Sequence, residues 1–92
     1  MDEFEWDEAK RAANLEKHSV DILKAARIFR APTIDVIDRR TAYGEERIRS
    51  VGIVGDECYV VVWTWRGRAR RLISAWKGGR RDRKKYQAGN AR

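Results

Sequence analysis

The stretch from Tyr59 to Lys77 constrains this chain of 92 residues more than any other, because β-branched and aromatic residues run along both sides of Arg66-Gly67. That pattern predicts a two-stranded hairpin. A two-residue turn at Arg66-Gly67 sets Trp65 opposite Arg68, Trp63 opposite Arg70, Val61 opposite Leu72 and Tyr59 opposite Ser74. One face then carries aromatic rings, guanidiniums and a hydroxyl; the other carries Cys58, Val60, Val62, Ala69, Ile73 and Ala75. The second set suits a core. Flat rings and cations in the first match stacked bases and phosphates. Two alternatives stay open: a three-residue loop, since Arg66 does not favour the positive φ of a type I′ turn, and a slip of one residue, which exchanges the faces. Packing of Trp63 and Trp65 against helices would likewise remove them from a ligand.

Charge supports a polyanionic partner. The formal net charge is +7, with five acids and no base from Asp2 to Glu8, and ten bases against Asp82 alone from Arg66 to Lys85. A basic half of this kind binds nucleic acid or an acidic protein, or is simply a solvated face. The lone cysteine, Cys58, cannot form an internal disulfide and reads as a small buried hydrophobe. No metal-ligand spacing, phosphate loop or dinucleotide fingerprint is present, so no metal and no cofactor is expected. Without a signal peptide or a long apolar run, the expected location is the cytoplasm, with no membrane contact.

At 92 residues the chain is expected to form a single domain over 1–92. Phe4-Glu5-Trp6 alternates as an edge strand or plug, and Asp7 caps a helix from about Glu8 to Lys17 whose thin apolar face is Ala9, Ala12, Ala13 and Leu15. Ser19 is expected to cap a second helix, about Val20 to Arg30, with Ile22, Ala25, Ala26 and Phe29 inward and Pro32 marking its end. Strands follow at Thr33 to Asp38 and Glu45 to Val54, with a loop over Arg39 to Gly44 between them. A type II′ turn at Gly55-Asp56 leads into strands Glu57–Trp65 and Arg68–Trp76. After Gly78-Gly79 comes a basic segment whose main anchor is Tyr86, so 80–92 is expected to be a mobile tail, helical over Arg80 to Gln87. The predicted class is α+β, with two N-terminal helices packed on one face of a four-stranded antiparallel sheet, a short basic C-terminal helix, and the other face open.

The order Phe4-Glu5-Trp6-Asp7, Lys10, Asn14, Lys17-His18, then Tyr43-Gly44-Glu45-Glu46-Arg47, then Arg71-Leu72-Ile73-Ser74-Ala75 and Tyr86 resembles the BrnT family of type II toxins. That resemblance implies a RelE/ParE-like fold and a ribonuclease that inhibits translation. It also implies a BrnA-type antitoxin as partner, and repression of the shared operon through operator DNA that the antitoxin contacts. The substrate would be RNA, including mRNA on the ribosome. Three positions depart from the family pattern: Ser19 for Gly, Trp76 for Arg and Gly78 for Ala.

Metal-independent RNA cleavage uses the substrate's own 2′-OH as nucleophile. The protein must align it, move two protons and stabilise charge on phosphorus. Arg47, Arg70 and Arg71 are the candidates for the phosphorane, and Tyr59, Trp63, Trp65 and Trp76 for the flanking bases, with Arg68, Arg80 and Arg81 on the RNA backbone. His18, the single histidine, is an acid or base, or instead a helix cap, a packing residue or an antitoxin contact. Glu46 is a base or a salt-bridge partner, and Ser74 a phosphate ligand or a structural hydroxyl. Lys77 and Tyr86 enter by analogy with the fold, with stapling of the tail as the other role for Tyr86. The alternatives to a ribonuclease are a non-catalytic nucleic-acid-binding module, a gyrase-inhibiting ParE-like toxin, and an interaction protein whose cationic face serves mainly an acidic antitoxin segment, toxicity having been lost through the Trp76 departure.

Overall fold

The computed structural model describes residues 3–39 and 44–90. Tyr43, one of the residues carrying the resemblance, lies outside them, as does most of the loop expected over Arg39 to Gly44.

Strand β1 (Glu3–Glu5) is followed by α1 (Glu8–His18), α2 (Ile22–Ala25) continued by a 3₁₀ segment (Ala26–Arg30), β2 (Ile34–Ile37), β3 (Ile48–Val54), β4 (Glu57–Arg66), β5 (Ala69–Lys77) and α3 (Arg80–Asn90). The sheet has five strands in the order β1-β5-β4-β3-β2, one more than expected. The Phe4 segment supplies the extra one, lying parallel to β5 with Phe4 beside Arg70. The other pairings are antiparallel.

Local chemistry explains the element ends. Asp7 Oδ1 accepts from the backbone N–H of Ala9 and Lys10, satisfying amides that have no partner inside α1. Ser19 does not start the second helix. It ends the first, in the left-handed region at φ 58°, with its N–H bonded to Leu15 O. Asp21 is the cap of α2 instead, accepting from Leu23 N–H. The second helix then tightens to 3₁₀ winding, whose period of three puts Ile22, Ala25 and Ile28 on one fully buried line. Burying a side chain such as Ile22 or Ile28 stabilises the fold by about 1.5–3 kcal/mol each. This segment crosses the sheet at Gly52, where an added Cβ would lie 2.6 Å from Ile28 Cβ.

The expected apolar stripe of α1 is not what holds it. Ala9, Ala12 and Ala13 are exposed, Leu15 is 52% exposed, and the helix's one buried residue is Asn14. Its amide acts as a substitute strand. Nδ2 donates to Ala75 O and Val20 O, and Oδ1 accepts from Ala75 N–H and the Ser74 hydroxyl. Both backbone groups of Ala75 on the edge of β5 beyond β1 are thereby paired.

The hairpin turn is Gly67-Arg68, one residue later than expected, because Gly67 (φ 59°) is the position that can take positive φ and so stands first in the turn. Trp65 therefore faces Arg70, and Trp63 faces Leu72. A bulge follows: Val62 faces Ser74, leaving Ile73 as the extra residue. At Gly55-Asp56 the expected turn is present, with Gly55 at φ 61° and Val54 paired to Glu57.

The two sheet faces carry separate cores. Tyr59, Val61, Trp63, Leu72 and Ala75 pack under α2 and the 3₁₀ segment with Phe4, Trp6 and Phe29. On the reverse, Val51, Cys58 and Val60 pack with Ile53, Trp76 and Tyr86, so α3 covers part of the face expected to be open. Tyr86 donates to Pro32 O, Arg83 to Asp56 O, and Gly89 lies against Ile34, which gives α3 more anchors than Tyr86 alone. Among the described residues no helix is long and apolar enough to cross a membrane.

Candidate nucleic-acid cleft

The bulge decides what the uncovered part of the reverse face contains. Unbroken alternation would keep Ser74 and Trp76 on the side of Trp63. The extra residue Ile73 transfers both to the side of Val62, while Ala75 moves into the main core. There, Lys17 and His18 from the end of α1, Arg47 from the segment before β3, Val62 from β4, and Ile73, Ser74 and Trp76 from β5 line an open cleft of about 470 Å³.

Each wall is fixed by identifiable bonds. Asn14, one turn before Lys17-His18, ties α1 to Ser74 and Ala75, so the helix end and the strand are held together by one amide. The His18 ring packs on the Trp76 indole with centroids 5.9 Å apart. Arg47 is held from two sides, by Asp38 N–H donating to its carbonyl and by the Thr64 hydroxyl donating to the carbonyl of Glu46. Its Nε also lies 3.4 Å from Glu45, which pairs with Arg66 as well. Arg49 is opposite Val62 on the same side of the sheet and pairs with the buried Asp38, and Arg71 is opposite Thr64 and pairs with Glu5. Among the described residues no carboxylate lines the cleft itself. Glu45 partly neutralises Arg47 from outside the lining, and the remaining positive charge of Lys17 and Arg47 favours a phosphate.

Of the predicted catalytic residues, the structure gathers Arg47, Ser74 and His18, with Trp76 from the base-stacking set, and leaves Arg71 on the flank. The rest lie elsewhere. Arg70 is on the opposite face, its guanidinium 4.4 Å from the Phe29 ring centroid and 4.7 Å from that of Trp63. Tyr59 and Trp63 are 3% and 2% exposed, because the aromatic stripe expected to face a ligand is the floor under the helices. Trp63 donates its indole N–H to Ser50 Oγ, which in turn donates to Asp35. Trp65 stays half-exposed on that face, edge-on to Trp63. Lys77 pairs with Glu57, Tyr86 belongs to the α3 cluster, and Glu46 is engaged through its carbonyl with an exposed side chain. Arg68 is exposed in the turn, and Arg80 and Arg81 in the first turn of α3. Sequence reasoning missed Lys17, Val62 and Ile73 as lining residues. For Lys17 a signal existed in its place beside His18 at a helix end.

A larger cavity, about 540 Å³, lies on the other side among Phe4, Trp6, Leu23, Ala26, Phe29, Arg27 and Arg30. Its floor is apolar and it holds no hydroxyl or imidazole, so it offers no proton-transfer chemistry. Cys58 is likewise unsuited to chemistry, since burial first and the Asp82 charge second raise its thiol pKa above the ordinary value.

The sequence model of a family described as "Ribonuclease toxin, BrnT, of type II toxin-antitoxin system" matches residues 6–82. The chain belongs to the BrnT family. The matched span contains every residue that lines the cleft, and BrnT proteins are ribonuclease toxins of type II toxin–antitoxin systems, a class that implies a protein antitoxin as partner. No curated protein matches this BrnT chain.

Proposed function

We propose that the cleft formed by Lys17, His18, Arg47, Ser74 and Trp76 cuts single-stranded RNA by attack of a ribose 2′-OH on the adjacent phosphorus, without a metal ion. The observation that carries this reading is the meeting of an imidazole, two cations, a hydroxyl and a partly buried indole in one cleft. His18 removes the 2′ proton as the oxygen bonds to phosphorus. Arg47 holds the equatorial oxygens as negative charge grows there, while the Ser74 hydroxyl, whose one proton goes to Asn14 Oδ1, keeps β5 against α1. The bond to the 5′-oxygen then breaks, and Lys17 supplies the proton that oxygen takes. The products are a 2′,3′-cyclic phosphate and a free 5′-hydroxyl, which balances protons and electrons. Trp76 stacks a base beside the cut, a contact of about 1–3 kcal/mol. An indole here, where arginine is usual in the family, shifts weight from charge to stacking and leaves Arg47 as the main phosphate ligand.

This reading extends to a BrnA-type antitoxin that covers the cleft and joins the toxin in repressing their operon, to a RelE-like single domain over 1–92, and to action in the cytoplasm on mRNA. The test is incubation of purified protein with end-labelled RNA in EDTA. New ends carrying a cyclic phosphate, lost in His18→Ala and Arg47→Ala, are expected. Binding without new ends would favour a non-catalytic module, and ends bearing 5′-phosphate would refute the 2′-OH mechanism.

A further inference from the structure

The cleft does not stop at Ser74. A second, shallower groove shares Lys17, His18, Ile73 and Ser74 with it and continues along α1 over Ala13 and Asn14 to Lys10. Lys10, Asn14 and Lys17 recur at i, i+4 and i+7, so they stand in one line on the helix face that borders the edge of β5. Asn14 is buried and fully engaged, and Ala13 leaves the groove floor low between the two lysines. Of the acids at the N-terminal end of α1, Asp7 is engaged by the helix amides and Glu8 by the Trp6 indole and Arg11, while Glu16 is exposed and lines neither groove. Lys10 and Lys17 are separated by about 10 Å along the helix axis, the span of a nucleotide or two of extended strand.

From this continuity we infer that Lys10 is a phosphate subsite for RNA outside the cut, and that the strand leaves the cleft across the β5 edge and runs along α1 toward the helix N-terminus. The inference rests on the ribonuclease reading above. Lys10 takes no part in the chemical step. It contributes one phosphate contact, which makes binding of long substrates more salt-dependent than binding of a dinucleotide.

The test compares Lys10→Ala with Lys24→Ala, an exposed lysine of α2 that borders neither groove. Substrates are a ten-nucleotide single-stranded RNA and the dinucleoside monophosphate UpA. For the ten-mer, Lys10→Ala is expected to raise KM several-fold at low salt with kcat unchanged, and to lower the slope of log affinity against log salt by about 0.7. UpA kinetics should not change, Lys10→Arg should restore the slope, and Lys24→Ala should match the parent. An unchanged slope in Lys10→Ala, or an equal loss with UpA and the ten-mer, would overturn the subsite. If the parent protein leaves both RNAs uncut while binding the ten-mer with Lys10-dependent affinity, the catalytic reading fails and the track stands.

Discussion

Replacing Asn14 by alanine tests how α1 is held and how the cleft is assembled. The amide makes four hydrogen bonds, to Val20 O, Ala75 O, Ala75 N–H and Ser74 Oγ, at 2.9–3.1 Å. Each such bond is worth about 1 kcal/mol net, so the set contributes about 4 kcal/mol. Water reaching the strand edge in the variant would recover part of this, leaving a loss of about 3 kcal/mol, a large share of the 5–15 kcal/mol typical of a whole domain. With an m-value of about 1.5 kcal/mol/M, the urea midpoint should fall by about 2 M. Asn14→Asp keeps both acceptor roles but sets a carboxylate against the carbonyls of Val20 and Ala75. It should be at least as destabilising at neutral pH and recover as the carboxyl protonates. RNA cleavage by Asn14→Ala, under conditions where near-UV circular dichroism shows it folded, should drop more than in Ser74→Ala, since Lys17 and His18 lose their register with β5. A midpoint shift below about 0.5 M would refute the claim that this amide, rather than an apolar face, fastens the helix.

Further outcomes follow from single contacts. Ser19→Gly should stabilise the protein by about 1 kcal/mol in urea unfolding, because a side chain is disfavoured at φ 58°. Gly78→Ala should cost about 1–3 kcal/mol, because its Cβ would lie 2.5 Å from Cys58 Sγ; adding Cys58→Ala should recover much of it, and strictly additive losses would show that the contact does not exist. Asp21 has its pKa lowered from 3.8, first by the hydrogen bond from Arg11, against an opposing effect of burial. A depressed carboxyl stabilises above its unfolded pKa and loses that contribution as pH falls through the folded value, so the urea midpoint of the parent should drop more steeply between about pH 5 and pH 2 than that of Asp21→Asn, which keeps the helix cap.

Periodicity and turn chemistry made much of the architecture legible. The succession of strands along the chain after the helices, the Asp7 cap and the Gly55 turn all follow from residues within a few positions of one another. The difference over which face Ser74, Ala75 and Trp76 occupy has one cause: alternation from Tyr59 to Lys77 predicts no interruption, and nothing local distinguishes Ile73 as an extra residue. The bulge is stabilised by what each face must hold, Ala75 beneath α2 and Trp76 beside Tyr86, and these are contacts with residues far away in sequence.

The sequence by itself therefore determined the elements, the polarised charge and the supply of guanidinium, imidazole and indole groups, because propensity, capping and composition act over a few residues. Tertiary packing alone decided which of those groups meet. It buried Tyr59 and Trp63 under the helices, set Arg70 against the Phe29 and Trp63 rings, and brought His18, Arg47, Ser74 and Trp76 together across the bulge and the Asn14 tether. A strand side chain changes face with a shift of one residue, so the location of chemistry on a sheet is set by long-range register and not by local pattern.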